Sequence, residues 1–94
     1  MAKTNISDFY CTQCGKKGIP IVRSKRAREA GHLKKLYCLH CQQETNHVEC
    51  RGFGQYNYND FLIEFENGNF TENGERRLPW KQFLAELRRE ERYG

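Results

Sequence analysis

Two short stretches decide how this chain folds: Cys11-Thr12-Gln13-Cys14-Gly15 and Cys38-Leu39-His40-Cys41. Each separates two thiols by two residues, the spacing at which one tight turn offers a pair of sulfurs to the same ion. Together they supply the four soft ligands of a closed tetrahedral site, so one structural zinc ion held by Cys11, Cys14, Cys38 and Cys41 is expected. Gly15 follows the second thiol directly, where the turn doubles back and a positive φ suits glycine.

A rival set stays open at this level. Cys38, Cys41, His47 and Cys50 also present four ligands, but that choice leaves Cys11 and Cys14 without partners. In the favoured reading Cys50 is a free thiol packed beside Val48, and His40 and His47 lie on the surface. Four cysteines fill the coordination shell and leave no position for water or substrate, which argues against zinc catalysis. Neither C-x-x-C sits in the βαβ context of a thiol-disulfide enzyme, and no phosphate loop or Ser/His/Asp arrangement is visible. No enzyme is expected.

The bulk composition makes a metal staple necessary. Of 94 residues, 37% are hydrophobic and 30% charged, with a mean hydropathy of -0.94. A chain this small and polar buries too little apolar surface to be comfortably stable without one. No apolar run has the length of a signal peptide or membrane span, so a reducing cytoplasm is the expected compartment.

Charge is unevenly distributed. Residues 1–52 carry ten Lys or Arg against four acids, whereas residues 53–94 carry six against eight. Within the first half, residues 23–35 hold six of the basic residues and a single Glu. This segment reads as an exposed basic loop, interrupted by Gly31, with His32 in it.

Hydrophobic patterning completes an α+β expectation: a three-stranded zinc ribbon over residues 1–52, then a helical extension, residues 53–94, with two short helices packed on each other and on the ribbon. Residues before Asp8 are expected to fray. Ile19 to Arg23 suits an edge strand and Leu36 to Cys38 a return strand. Glu44 to Arg51 alternates, with Glu44, Asn46, Val48 and Cys50 on one side and Thr45, His47, Glu49 and Arg51 on the other. Asn59 or Asp60 is placed to cap a helix over residues 61–66, stopped by Asn67-Gly68. Pro79 opens a second helix with an apolar stripe of Trp80, Phe83, Leu84 and Leu87.

The run from Tyr10-Cys11-Thr12-Gln13-Cys14-Gly15 through Leu36-Tyr37-Cys38-Leu39-His40-Cys41 to Thr45-Asn46-His47-Val48-Glu49-Cys50 resembles the zinc-ribbon class. More narrowly, it resembles small zinc-ribbon proteins of Gram-positive bacteria and their phages. The likeness covers about residues 9–52 and brings no specific activity with it. For the broader class it implies binding to nucleic acid or to the transcription machinery, with the four cysteines at the metal positions.

Two functions follow as expectations. The first is a non-enzymatic regulator that contacts DNA, RNA or RNA polymerase through Arg23, Lys25, Arg26, Arg28, His32, Lys34, Lys35 and Tyr37, with counterion release supplying affinity. The second is a phage or mobile-element protein that binds and inhibits a host protein through its aromatic and acidic second half. There Phe53, Tyr56, Tyr58, Phe61, Phe65, Phe70 and Trp80 are the candidate anchors, Tyr56 and Tyr58 being the two expected on the surface.

Overall fold

The computed structural model describes residues 5–23, 30–51 and 55–93. Its elements are β1 (Asn5–Cys11), β2 (Ile21–Arg23), β3 (Leu33–Cys38), β4 (Gln43–Cys50), α1 (Tyr58–Glu66) and α2 (Trp80–Tyr93). The class is α+β as expected, but the sheet has four antiparallel strands rather than three, in the order β2-β1-β4-β3. The additional strand is β1, from the lead-in expected to fray. It is ordered because its two halves find different partners. Asn5, Ile6 and Ser7 pair with Arg23, Val22 and Ile21, whereas Asp8 to Cys11 pair with Cys50 to His47. This change of partner along one strand curls the sheet.

Strand β3 also begins three residues earlier than expected, taking in Leu33, Lys34 and Lys35. The end of the supposed loop is therefore structural: Ala30 and Gly31 are buried. Gly31 sits at φ +96°, and a Cβ on it would come within 2.6 Å of Trp80 Nε1. Only glycine suits both demands. The expected boundary at residues 52 and 53 falls outside the described residues.

Register assigns the two faces. Tyr10, Leu33, Val48 and Cys50 look toward the helices and join Ala30, Tyr56 and Phe61 in the core. Phe61 is the hub, its ring centroid 5.3 Å from that of Tyr10, 5.6 Å from Phe65 and 5.8 Å from Phe70. Burying such a ring stabilises by roughly 1.5–3 kcal/mol. Tyr56, expected outside, is buried, with Trp80 edge-on at 5.0 Å. Tyr58 is exposed as expected and lies against Tyr10.

Helix α1 starts from a capping box on Asn57, not on Asn59 or Asp60. The Asn57 side chain accepts from the backbone N–H groups of Asn59 and Asp60, and the Asp60 carboxylate accepts from the Asn57 N–H. Helix α2 follows Pro79 and carries the expected half-buried stripe of Trp80, Phe83, Leu84 and Leu87. Among the described residues no helix is long and apolar enough to cross a membrane.

A buried carboxylate ties these layers together. Glu64 of α1 is fully buried and accepts from Tyr56 Oη, Asn69 Nδ2 and both Nε and a terminal nitrogen of Arg76, the latter two at 2.9 Å. Arg76 also donates to the carbonyl of Gly31, so the network joins α1, the turn after it and the approach to β3. Breaking a buried, fully satisfied ion pair from one side costs about 3–5 kcal/mol. Glu64→Ala is therefore expected to lower the free energy of unfolding by about that amount in urea titrations. An unchanged midpoint would mean that this network does not hold the layers together.

Candidate metal centre

Strands β1 and β3 each end in a cysteine, Cys11 and Cys38, and each runs straight into a tight turn that carries the second thiol of its pair. The Gly15 N–H closes the first turn on the Cys11 carbonyl and the Gln42 N–H closes the second on the Cys38 carbonyl, both at 2.8 Å. Gly15 (φ 77°) and Gln42 (φ 56°) occupy equivalent left-handed positions. Gln42 adopts at a cost of roughly 1–2 kcal/mol what glycine adopts freely.

The two turns bring all four sulfurs within 4.8 Å of one another, where they could bind one metal ion. Cys11 Sγ lies 3.8 Å from Cys41 Sγ, and Cys14 Sγ 3.6 Å from Cys38 Sγ. Sulfurs about 2.3 Å from a central ion in a tetrahedron stand about 3.8 Å apart, so the cluster has the size such an ion requires. Cys11 and Cys38 are buried, while Cys14 and Cys41 reach partly to solvent.

The surroundings of Cys11 favour its thiolate. Cys11 Sγ is approached by Thr45 Oγ1 at 3.1 Å and by the backbone N–H groups of Gln13 and Cys14 at 3.4 and 3.5 Å, and Cys38 Sγ by the Cys41 N–H at 3.4 Å. Burial alone would raise the Cys11 thiol, but the Thr45 hydroxyl and these amides outweigh it and bring it down to about 7. Desolvation and the three neighbouring sulfurs push Cys41 up to about 12. Cys14 and Cys41, raised by desolvation and by their neighbouring sulfurs, therefore resist ionisation, and a bound cation reverses that balance.

The rival ligand set does not assemble. His47 and Cys50 project from opposite faces of β4, Cys50 into the core beside Val48 and His47 into the other face. Desolvation by burial pushes the Cys50 thiol up to about 12, which suits an inert packing residue. His47, expected on the surface, is fully buried: its Nδ1 bonds the Thr45 carbonyl at 3.0 Å, Gly18 packs on its ring, and its Nε2 has no hydrogen-bond partner among the described residues. Burial holds it below the usual imidazole range. His40 is exposed, as expected.

The helical half covers the first turn. A Cβ on Gly15 would meet the Phe65 ring at 3.1 Å, and one on Gly74 would meet Thr12 Oγ1 at 2.5 Å. The Gly74 carbonyl accepts from Thr12 Oγ1 at 2.8 Å and from Asn46 Nδ2 at 3.2 Å. These contacts were not legible in the sequence, where Gly74 reads only as part of an Asn-Gly turn.

The candidate binding residues separate. Lys25, Arg26 and Arg28 lie outside the described residues, and Arg23 ends β2, paired with Asn5. Lys34 and Lys35 are consecutive on β3 and so point to opposite faces, with Tyr37, 57% exposed, on the Lys35 side. His32 is not a free loop residue: its Nε2 donates to the buried carboxylate of Glu49 at 2.6 Å. Glu49 also accepts from Ser7 and, at 2.8 Å, from Arg51.

Two outcomes follow. Gly15→Ala adds a methyl group against Phe65 at a positive φ, and thermal unfolding of the metal-loaded protein is expected at a lower temperature; an unaltered transition would show that the ring yields freely. Burial raises the Glu49 carboxyl, but Ser7, His32 and Arg51 outweigh it and hold the group below its ordinary value. Its contribution is therefore complete above the ordinary carboxylate pKa and is lost as pH falls through the lower folded value. Glu49→Gln should be less stable at neutral pH, and the gap to the parent should narrow on acidification; a constant gap in urea titrations from neutral to acid pH would refute this. No family model, curated protein or solved structure matches this chain, so the centre is defined by its own four cysteines.

Proposed function

We propose that the protein is a non-enzymatic, cytoplasmic zinc module of ribbon type that binds nucleic acid through its basic segment, residues 23–35. Zinc is the ion of this reading because four thiolates suit it better than harder cations and a purely structural role needs no redox chemistry. The ion is structural: it fastens the ends of β1 and β3, and all four donors are thiols.

The observation that carries this reading is strand β3. It forms an edge of the sheet, is clamped at Cys38 by the metal-binding turn, and carries Lys34, Lys35 and the exposed ring of Tyr37. The chain enters it from the run containing Lys25, Arg26 and Arg28. A cation, Lys35, on the same face as an exposed aromatic ring of a rigid strand matches the requirements of a polyanion whose bases can stack. The alternative, capture of a host protein by the aromatic second half, has less support. Of its candidate anchors among the described residues, Tyr56 and Phe61 are buried, Phe65, Phe70 and Trp80 are packed against them, and Tyr58 alone is exposed.

Fluorescence anisotropy with labelled oligonucleotides tests the proposal. Zinc-loaded protein is expected to bind with an affinity that falls steeply with salt, and chelation should abolish binding. Replacing Lys25, Arg26 and Arg28 by Glu should reduce both affinity and salt slope. Absence of binding, together with salt-resistant retention of one stoichiometric protein from a nuclease-treated lysate, would replace this reading with the protein-binding one.

A further inference from the structure

The two metal-binding turns share a backbone and differ in use. The first is covered by Phe65 and by the Gly74 turn. The second stays open to solvent: Leu39 is 74% exposed, and His40 and Gln42 are exposed beside it. The position after the last thiol is glycine in the first turn, where a Cβ would strike Phe65, and glutamine in the second. Gln42 keeps a left-handed φ that glycine would hold without strain, and strained non-glycine residues concentrate where a side chain is used.

We propose that this second turn, with Tyr37 leading into it, binds the unpaired bases of a single-stranded nucleic acid. The inference rests on the nucleic-acid reading given above and assigns its substrate class. Tyr37 and Leu39 offer apolar surface to base faces, which are accessible in single strands and stacked away in duplexes. The Gln42 amide carries both a donor and an acceptor for a base edge. Lys35, two residues before Tyr37 on the same face of β3, meets a phosphate. Glu44, exposed, stands opposite Tyr37 in register, so the ring face rather than a phosphate contact carries affinity at that point.

The test compares zinc-loaded, full-length parent with Tyr37→Ser, Leu39→Ser and Gln42→Gly, using labelled mixed-sequence oligonucleotides as single strands and as duplexes. The parent is expected to prefer the single strand. Tyr37→Ser and Leu39→Ser should each weaken single-strand binding by about tenfold with the salt slope unchanged, because stacking releases no counterions. Gln42→Gly should melt at a higher temperature than the parent yet bind more weakly, a combination that misfolding cannot produce. Equal affinity for duplex, or parent-like binding by all three variants, overturns the base-binding turn while leaving the basic-segment reading in place. Failure of the parent to bind any oligonucleotide overturns both.

Discussion

Convergence of four sulfurs within 4.8 Å is the constraint on which the rest of the molecule depends. The sheet is small and curled, and its strands are joined at one end by two tight turns rather than by a broad apolar layer. Without a cation, Cys14 and Cys41 resist ionisation beside their neighbours; with one, the four sulfurs become a rigid cross-link between the ends of β1 and β3. Phe65 and the Gly74 carbonyl are set directly on the first turn. The helical half is therefore seated on the metal centre as well as on the sheet.

The remaining cohesion is divided between aromatic packing and two buried carboxylates. Glu64 serves the helical side and Glu49 the opposite face, and each meets a guanidinium and further donors. Satisfied buried ion pairs add little net stability over well-packed apolar groups, but they tolerate few alternative arrangements. Here they join segments far apart in sequence: Ser7 to Glu49, and Gly31 to Arg76 and on to Glu64. A chain with few apolar residues thereby specifies which segments meet.

The ligand set was legible in the sequence because coordination spacing is local: two residues between thiols define a turn regardless of the rest of the fold. The helices were legible for a similar reason, since Phe61 to Asn67 and Pro79 onward carry their own periodicity and stop signals, although the cap of α1 falls on Asn57, before both candidates. What sequence reasoning missed depends on pairing. The first half of β1 looks like a polar lead-in because Ser7 is buried there while Ile6 is exposed, the reverse of the usual pattern. His47 and Glu49 read as a solvent face because both are polar, although Glu49 spends its polarity on Ser7, His32 and Arg51. Lys34 and Lys35 look like one patch in the sequence, but a strand turns neighbours to opposite sides.

The contact between Thr12 and Gly74 spans 62 residues. A ribosome exposes both cysteine pairs well before it releases the turn that rests on the first of them. The ligands can therefore gather while the second half is still being made, but the cover over Thr12 and Gly15 closes only once the Gly74 turn has emerged. Until then the first turn faces solvent as the second does in the finished protein, which makes ion capture an early event on the nascent chain and its sealing a late one.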